Sequence, residues 1–206
     1  EDFTRYPRTF AHDRLMLTGA KADLIWAPTM PEMYPDGFCT RVLLLGPAAA
    51  GLEDRFRPTH FEGVATVCAK LFTQSRPYIA VFGEKDYQQL TIIRRSIEDL
   101  CLPVRIVGAP TVRADDGLAL SSRNRYLNPQ ERAIAPEVYR SLDRARRRLE
   151  SGDTDVAGIE REGLAALVAA GFRPDYFEVR MAGTLAKPHG QNVDVVVLTA
   201  ARLGRA

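Results

Sequence analysis

The chain has 206 residues, of which 46% are hydrophobic and 26% are charged. This balance is typical of one large or two small globular domains with a substantial core, and it excludes a disordered, fibrous or coiled-coil protein. The net charge of +2 is too small for a protein whose main task is to bind DNA or RNA, so we expect no nucleic-acid partner.

Cysteine content and the length of apolar runs predict the cellular setting. Cys39, Cys68 and Cys101 are odd in number and form no C-x-x-C pair, which argues against a disulfide framework or a zinc knuckle. Apolar runs such as residues 195–198 are far shorter than the ~18–20 residues that a membrane-spanning helix needs. The sequence also opens without a basic start and an apolar stretch, so we expect no secretory signal. These features predict a cytoplasmic protein without a membrane partner.

The first half of the chain alternates helical and strand patterns. In chain order they predict a helix over 9–18, an apolar run over 22–26, a loop over 31–60 and a helix over 63–75. A buried strand over 78–82 follows, and then a helix that Asp86 caps and a strand over 104–107. The apolar face of the capped helix consists of Leu90, Ile93, Ile97 and Leu100. Strand, helix and strand with short joints form a βαβ unit, which predicts a parallel sheet covered by helices.

The second half predicts a different architecture. A polar loop over 111–125 leads to Asn128, which begins a helix with proline in its first turn and glutamate three residues after the cap. The remaining predicted elements are helical segments to about residue 151 with a break near Pro136, a helix from Asp153 or Asp155 to Gly171, and strands over 176–180 and 193–199. We therefore predict an α/β protein in which an incomplete doubly wound, Rossmann-like parallel sheet domain over 1–109 precedes a smaller α+β domain over 110–206.

The first candidate site lies at the turn between the strand over 78–82 and the next helix. It reads Gly-Glu-Lys-Asp-Tyr-Gln-Gln over residues 83–89. Open α/β sheets bind ligands at this carboxyl edge, where the free N–H groups of the helix favour an anion and Lys85 adds a mobile positive charge. Gln89, one helical turn after Asp86, can offer amide donors to the same ligand. A capped helix with solvated charges fits the position equally well.

The second candidate is the polar loop that follows the predicted strand over 104–107. Ser121, Ser122 and Arg123 place two hydroxyls and a bidentate guanidinium in a row, which suits phosphate oxygens. Because the loop follows a strand, it can overhang the same sheet edge. Taken alone, its Ser, Asp, Gly and Asn residues are more typical of an ordinary turn.

The histidines and one basic run give weaker signals. His60, after a proline turn, is typical of a structural histidine, and the three scattered histidines lack metal-site spacing, so we expect no metal-binding residue. The arginine-rich stretch over 140–148 also carries Asp143 and follows Glu137, which favours a solvated helix face over an RNA-binding stripe.

Taken together, these segments resemble a known enzyme family. Residues 83–89 and the run Gly-Leu-Ala-Leu-Ser-Ser-Arg-Asn-Arg-Tyr-Leu over 117–127 closely resemble two central signatures of the pantoate–β-alanine ligases. Further matches in the same order are residues 1–3 with 6–9, 33–37, 52–53 with 57–64, and 200–204. The matches extend over essentially the whole chain.

The resemblance implies an ATP-dependent acid–amine ligase of pantothenate and coenzyme A biosynthesis. The carboxylate of pantoate attacks the α-phosphate of Mg2+-bound ATP, which gives a pantoyl adenylate and pyrophosphate, and the amine of β-alanine then displaces AMP. Both steps need charge compensation and positioning more than an enzyme nucleophile. The family also implies a homodimer, and a second domain that closes over the site.

The implied site residues follow from the matched positions. Lys85, Ser121 and Arg123 are the expected catalytic residues, and Gln89 is expected to bind pantoate. The expected ATP-binding residues are Gly83, Glu84, Lys85, Asp86, Val112, Leu120, Ser121, Ser122 and Arg123. Three further residues match a family segment near the site and are given no catalytic role: Glu53, Arg57 and His60.

The chain also departs from the family pattern. A family segment with a His-x-x-His-type motif and a further pantoate-binding glutamine does not precede Glu1, while Asp54 stands for a usual glycine and Leu120 for a usual methionine. The alternative to an active synthetase is therefore a catalytically incomplete fragment or remnant that binds nucleotide or pantoate weakly.

Overall fold

The structure, a computed structural model, describes residues 9–190 and 193–205. The family matches over residues 1–3 and 6–8 lie outside the described residues. Backbone contacts divide the chain into two compact units, Glu1–Cys39 and Thr40–Ala206. The boundary that the sequence predicts near residues 109–110 lies inside the second unit and stays a prediction.

The first unit contains two helices. α1 spans Phe10–Gly19, close to its predicted bounds. The apolar run over 22–26 is irregular, and its Leu24 is 82% exposed, so it is not a buried strand. α2, Met30–Met33, is a short helix inside the predicted loop, and a reciprocal pair of hydrogen bonds between Thr29 and Glu32 fixes its start.

The second unit begins with the predicted βαβ arrangement. A 3-10 turn at Gly46–Ala49 precedes the helices and strands, which are α3 at Glu53–Phe56, α4 at His60–Ser75, β1 at Ile79–Gly83, α5 at Tyr87–Asp99 and β2 at Arg105–Ala109. β1 and β2 pair in parallel from Ile79 opposite Arg105 to Gly83 opposite Ala109. The parallel sheet and its covering helices are therefore confirmed.

The strand over 78–82 is not buried as predicted. Tyr78, Ile79 and Val81 are 81%, 41% and 63% exposed. Side chains alternate across a strand, and only Ala80 and Phe82 pack against the apolar cluster of α4 and α5. The prediction that Leu100 lies on the buried face of α5 is also wrong: it follows the last residue of the helix and is 46% exposed.

The chain from Arg113 onward forms the predicted α+β arrangement. Its elements are a 3-10 turn at Ser122–Tyr126, α6 at Pro129–Ile134, α7 at Glu137–Glu150, α8 at Val156–Ala169, β3 at Arg173–Met181 and β4 at Val195–Arg202. Asn128 and Asp155 cap α6 and α8 through side-chain oxygens that accept backbone N–H groups. β3 and β4 are antiparallel, and the fold class is confirmed as α/β with a parallel sheet followed by a small antiparallel one.

Close packing of α8 on β3 forms the hydrophobic core of the α+β part, separate from the apolar cluster of α4 and α5. Phe177 and Val179 of β3 and Ile159 and Leu167 of α8 are almost wholly buried. A Cβ at Gly163 would lie 2.4 Å from the Phe177 ring, so this helix position has room only for a hydrogen. This contact between α8 and β3 holds the antiparallel sheet against its helices.

The surface of α7 is a network of ion pairs. Arg144 contacts Glu137 at 2.6 Å, and Arg146 contacts Asp143 and Glu150, each at 2.7 Å. The pairing of these arginines with carboxylates on their own helix agrees with the solvated face that the sequence favours. Within residues 9–190 and 193–205, no helix is both long and apolar enough to span a bilayer.

Several contacts among the described residues join the parallel sheet layer to the antiparallel one. The Tyr87 hydroxyl donates to the Ala182 carbonyl at 3.1 Å, and Arg180 Nη1 donates to the Ala50 carbonyl at 2.9 Å. The rings of Phe56 and Tyr176 stack with centroids 6.4 Å apart. Tyr87 belongs to the first candidate motif, so this motif is tied directly to the end of β3.

Candidate active site

The first motif forms the turn between β1 and α5. Gly83 is the last residue of β1, residues Glu84–Asp86 form one 3-10 turn, and α5 follows at Tyr87. Glu84, Lys85 and Asp86 are exposed. This arrangement puts the acidic and basic side chains at the carboxyl end of a parallel strand, as the sequence predicts.

Asp86 does not cap α5 with its side chain. It occupies the N-cap position, but its carboxylate accepts no cap hydrogen bond from the described residues of the helix. Asp86 Oδ1 instead lies 3.3 Å from Lys85 Nζ. An exposed ion pair of this kind is weak, so the Lys85 ammonium can exchange Asp86 for a more highly charged ligand.

Two glutamines in the first turn of α5 have different environments. Gln89, the expected pantoate ligand, is half-buried, whereas Gln88 is 5% exposed and fully hydrogen-bonded. The sequence patterns predict no role for Gln88. Its spacing to buried Ile92 and Ser96, four and eight residues later, is the signal that marks it as an inward position.

The second motif folds back on itself as a compact loop. Arg113 and Ala119 form an antiparallel bridge, and the Leu120 N–H donates to the Val112 carbonyl at 2.9 Å. Val112 and Leu120, the expected nucleotide contacts, are therefore neighbours, and they are 67% and 56% exposed. Two exposed apolar side chains beside each other suit the face of a planar ring.

A short 3-10 turn then presents the hydroxyls and the arginine of this motif. Ser121 Oγ accepts the Arg123 N–H at 3.2 Å, and Asn124 Nδ2 donates to the Ala119 carbonyl at 2.9 Å. Ser122 and Arg123 are exposed. These bonds fix the backbone of the turn while its side chains stay at the surface.

His60 connects the two motifs electrostatically. It is the first residue of α4, and burial is the main cause that lowers its pKa. Nearby Arg57 and Arg123 lower the pKa further, whereas Glu53 and Asp86 raise it. Because both Asp86 of the first motif and Arg123 of the second act on His60, the structure brings the two motifs to one region.

Glu53 and Arg57 complete this polar region. Arg57 Nη1 donates to Glu53 Oε1 at 3.1 Å across one turn of α3. Within the described ranges 9–190 and 193–205, no group of three or more His, Cys, Asp or Glu side chains is arranged to hold a metal ion. The region combines the guanidinium groups of Arg57 and Arg123, the ammonium of Lys85 and the imidazole of His60 with carboxylates that pair with two of these cations, and its positive groups suit a polyanion.

Comparison with known proteins identifies the family. The sequence model described as Pantoate-beta-alanine ligase matches residues 1–206. The chain belongs to this family. A pantothenate synthetase of Bradyrhizobium sp. strain BTAi1 is 52% identical over 99% of this chain and 72% of its own length, and one of Pseudomonas putida KT2440 is 51% identical over 99% and 71%.

Solved structures of pantoate–β-alanine ligases have the same fold. A pantothenate synthetase of Thermus thermophilus superposes with a TM-score of 0.93 at 47% identity, covering 100% of this chain and 75% of the other. The Francisella tularensis enzyme, complexed with beta-gamma ATP and beta-alanine, gives 0.74 at 28% identity, covering 98% and 72%.

These matches confirm the ligase predictions that the sequence supports. Members of this family are ATP-using enzymes that form the amide bond between pantoate and β-alanine, and the chain is a pantoate–β-alanine ligase by family, relatives and structure. The individual site residues, the Mg2+ ion, the homodimer and the cytoplasmic location stay predictions.

Proposed function

We propose that this chain condenses pantoate with β-alanine through a pantoyl adenylate, at the region where the turn after β1 and the loop around Ser121 meet His60. The observation that carries the proposal is the match of the whole chain to the Pantoate-beta-alanine ligase family, which supplies the reaction. The charges of Asp86 and Arg123, one from each motif, both act on the pKa of His60, and this nearness of the two motifs to one imidazole supports the proposed location.

The ATP phosphates are assigned to the positive groups of the two motifs. Lys85 lies two residues after Gly83, whose missing side chain leaves space for close approach of phosphate to the backbone at the start of α5. Ser121, Ser122 and Arg123 supply hydroxyl and guanidinium donors from the opposite loop. As pyrophosphate leaves, Lys85 and Arg123 stabilise the charge that develops on the phosphate oxygens.

The remaining nucleotide contacts are assigned to residues that bracket these donors. Val112 and Leu120 offer apolar surface to the adenine end of the nucleotide, and Glu84 and Asp86 border the phosphate turn. Asp86 holds Lys85 before ATP arrives and is displaced by the phosphates. This exchange avoids leaving the ammonium unpaired in either state.

Pantoate is assigned to Gln89, whose amide can donate to one oxygen and accept from a hydroxyl of the same ligand. Its half-buried position in the first turn of α5 places it three residues after Asp86 and four after Lys85. The pantoate carboxylate and the α-phosphate are thereby held by one helical turn, which favours in-line attack.

Mg2+ is assigned to the ATP phosphates rather than to a protein cage. When bound, it neutralises phosphate charge and orients the leaving pyrophosphate. The homodimer that the family resemblance implies and the cytoplasmic location that the cysteine content predicts remain part of the proposal, and light scattering of the purified protein tests the former.

The proposal is tested by AMP release from Mg-ATP with pantoate and β-alanine supplied separately and together. AMP that requires both substrates supports the synthetase reaction. An absence of AMP under these conditions, with weak binding of nucleotide or pantoate by calorimetry, would instead support the binding remnant.

A further inference from the structure

The buried carboxamide of Gln88 joins the first turn of α5 to the segment before α4. Gln88 Oε1 accepts the Glu53 N–H at 3.0 Å, while its Nε2 donates to the Pro47 carbonyl and to Asp54 Oδ1, both at 2.8 Å. A primary amide has two N–H donors and one carbonyl oxygen, so each polar atom of this side chain has a partner. A buried amide is tolerated on a core-facing helix position only because it is satisfied in this way.

The Asp54 carboxylate, which accepts a hydrogen bond from Gln88, also accepts hydrogen bonds from the backbone. Asp54 Oδ1 also accepts the Leu52 N–H at 2.9 Å, and Oδ2 accepts the Gly51 N–H at 3.0 Å. Asp54 lies in α3, a helix of only four residues. So short a helix is not stable by itself, and its position depends on contacts such as those with Gln88.

α3 carries part of the polar region around His60. Glu53 is its first residue and pairs with Arg57, and the charges of both act on the imidazole together with those of Asp86 and Arg123. A shift of α3 relative to α5 would therefore move Glu53 and Arg57 away from the turn that holds the proposed ATP ligands.

We propose that Asp54 and Gln88 are positioning residues of the ligase site: their hydrogen bonds hold α3 against the first turn of α5 and keep the Glu53–Arg57 pair aligned with the residues that bind ATP and pantoate. The inference rests on the proposed function. Neither Asp54 nor Gln88 touches substrate in this assignment. A misplacement of about 1 Å costs roughly 10²-fold in rate, which sets the upper size of the effect.

The sharpest variant is Gln88→Glu, which sets a second carboxylate against Asp54 and removes both N–H donors. Two carboxylates that share a site raise the pKa of one of them, so acidification restores one hydrogen bond between them. We expect kcat for pantoate-dependent AMP release to fall about 10- to 100-fold at about pH 8, with a deficit that shrinks as the pH falls towards about 5.5.

Two companion variants make this pH signature specific. Adding Asp54→Asn to Gln88→Glu removes the like charge, so activity at about pH 8 should recover and the acid recovery should disappear. Gln88→Leu removes the donors without adding a charge and serves if Gln88→Glu does not fold. It should lower kcat without any recovery at acid pH.

The matched control is Ser141→Ala, which removes a 2% exposed hydrogen-bonded side chain from α7. It should lower the thermal unfolding midpoint and leave kcat and its pH profile unchanged. If the control reproduces the pH signature of Gln88→Glu, or if Gln88→Glu and Gln88→Leu keep the wild-type kcat, the positioning role is overturned.

A second readout does not depend on activity. The amide hydrogens of Gly51, Leu52 and Glu53 donate to the two side chains, so their exchange with solvent, followed by NMR, should accelerate in Gln88→Glu and Gln88→Leu. Unchanged exchange rates would overturn the inference that these hydrogen bonds hold α3 against α5. A wild-type protein that makes no AMP would overturn the proposed function, and the exchange data would still test whether Asp54 and Gln88 hold α3 against α5.

Discussion

The assignment of Lys85 to the ATP phosphates predicts a large loss of rate with little loss of stability in Lys85→Ala. The side chain is 41% exposed and lies 3.3 Å from Asp86 Oδ1. An exposed ion pair contributes ~0–1 kcal/mol to folding, so the free energy of unfolding should fall by no more than about 1 kcal/mol. A donor directed at charge that develops in the transition state is worth ~2.7–4 kcal/mol, which corresponds to a ~10²- to 10³-fold lower kcat.

The assay should isolate the first half-reaction. Pantoate-dependent exchange of labelled pyrophosphate into ATP, without β-alanine, reports adenylate formation alone. Lys187→Ala is the matched control, because Lys187 is 58% exposed and its Nζ lies 2.7 Å from Glu178 Oε2. Wild-type exchange in Lys85→Ala would refute the phosphate assignment, and an equal loss in Lys187→Ala would refute its specificity.

Three further predictions concern binding, pH and packing. Gln89→Ala should raise KM for pantoate far more than KM for ATP, and equal changes in initial-rate kinetics would contradict its role. Burial lowers the pKa of His60 in the folded protein, so the unfolded chain binds more protons as the pH falls below the usual value of about 6.5. The contribution of His60 to the free energy of unfolding is therefore present above that pH and is lost as the pH falls towards the folded pKa. In urea titrations, His60→Gln should lose less stability than the wild type on acidification, and an identical loss would count against this. Gly163→Ala should lower the free energy of unfolding by ~1–3 kcal/mol, because the added Cβ would overlap the Phe177 ring. Its control is Gly183→Ala, where no described atom lies within 4 Å of the added Cβ, and this variant should unfold like the wild type in the same titration.

Local rules predicted the elements whose determinants are adjacent in sequence. The Asn128 capping box predicts the start of α6, and the structure selects Asp155 over Asp153 as the cap of α8; both starts are predictable because a cap oxygen and the backbone N–H that donates to it lie within three residues. The βαβ unit followed from hydrophobic periodicity alone, and the pairing of β1 with β2 confirms it.

Burial and side-chain partners could not be predicted in the same way, because they depend on which face another element covers. The apolar character of Ile79 and Val81 suggested a buried strand, yet only the alternate residues contact the helices. Asp86 stands at an N-cap, but its neighbour Lys85 competes for the carboxylate. The role of Gln88 depends on Pro47 and Asp54, which are 41 and 34 residues away along the chain.

The join between the parallel and antiparallel layers has an evolutionary consequence. Tyr87 and Arg180 supply the donors, but both acceptors are main-chain carbonyls, those of Ala182 and Ala50. Every amino acid carries such a carbonyl, so drift at positions 50 and 182 preserves the link as long as the backbone path is kept. Two of the contacts at this junction therefore depend on the side chains of Tyr87 and Arg180 alone, and a library that randomises positions 50 and 182 can vary the surface there while both hydrogen bonds are kept.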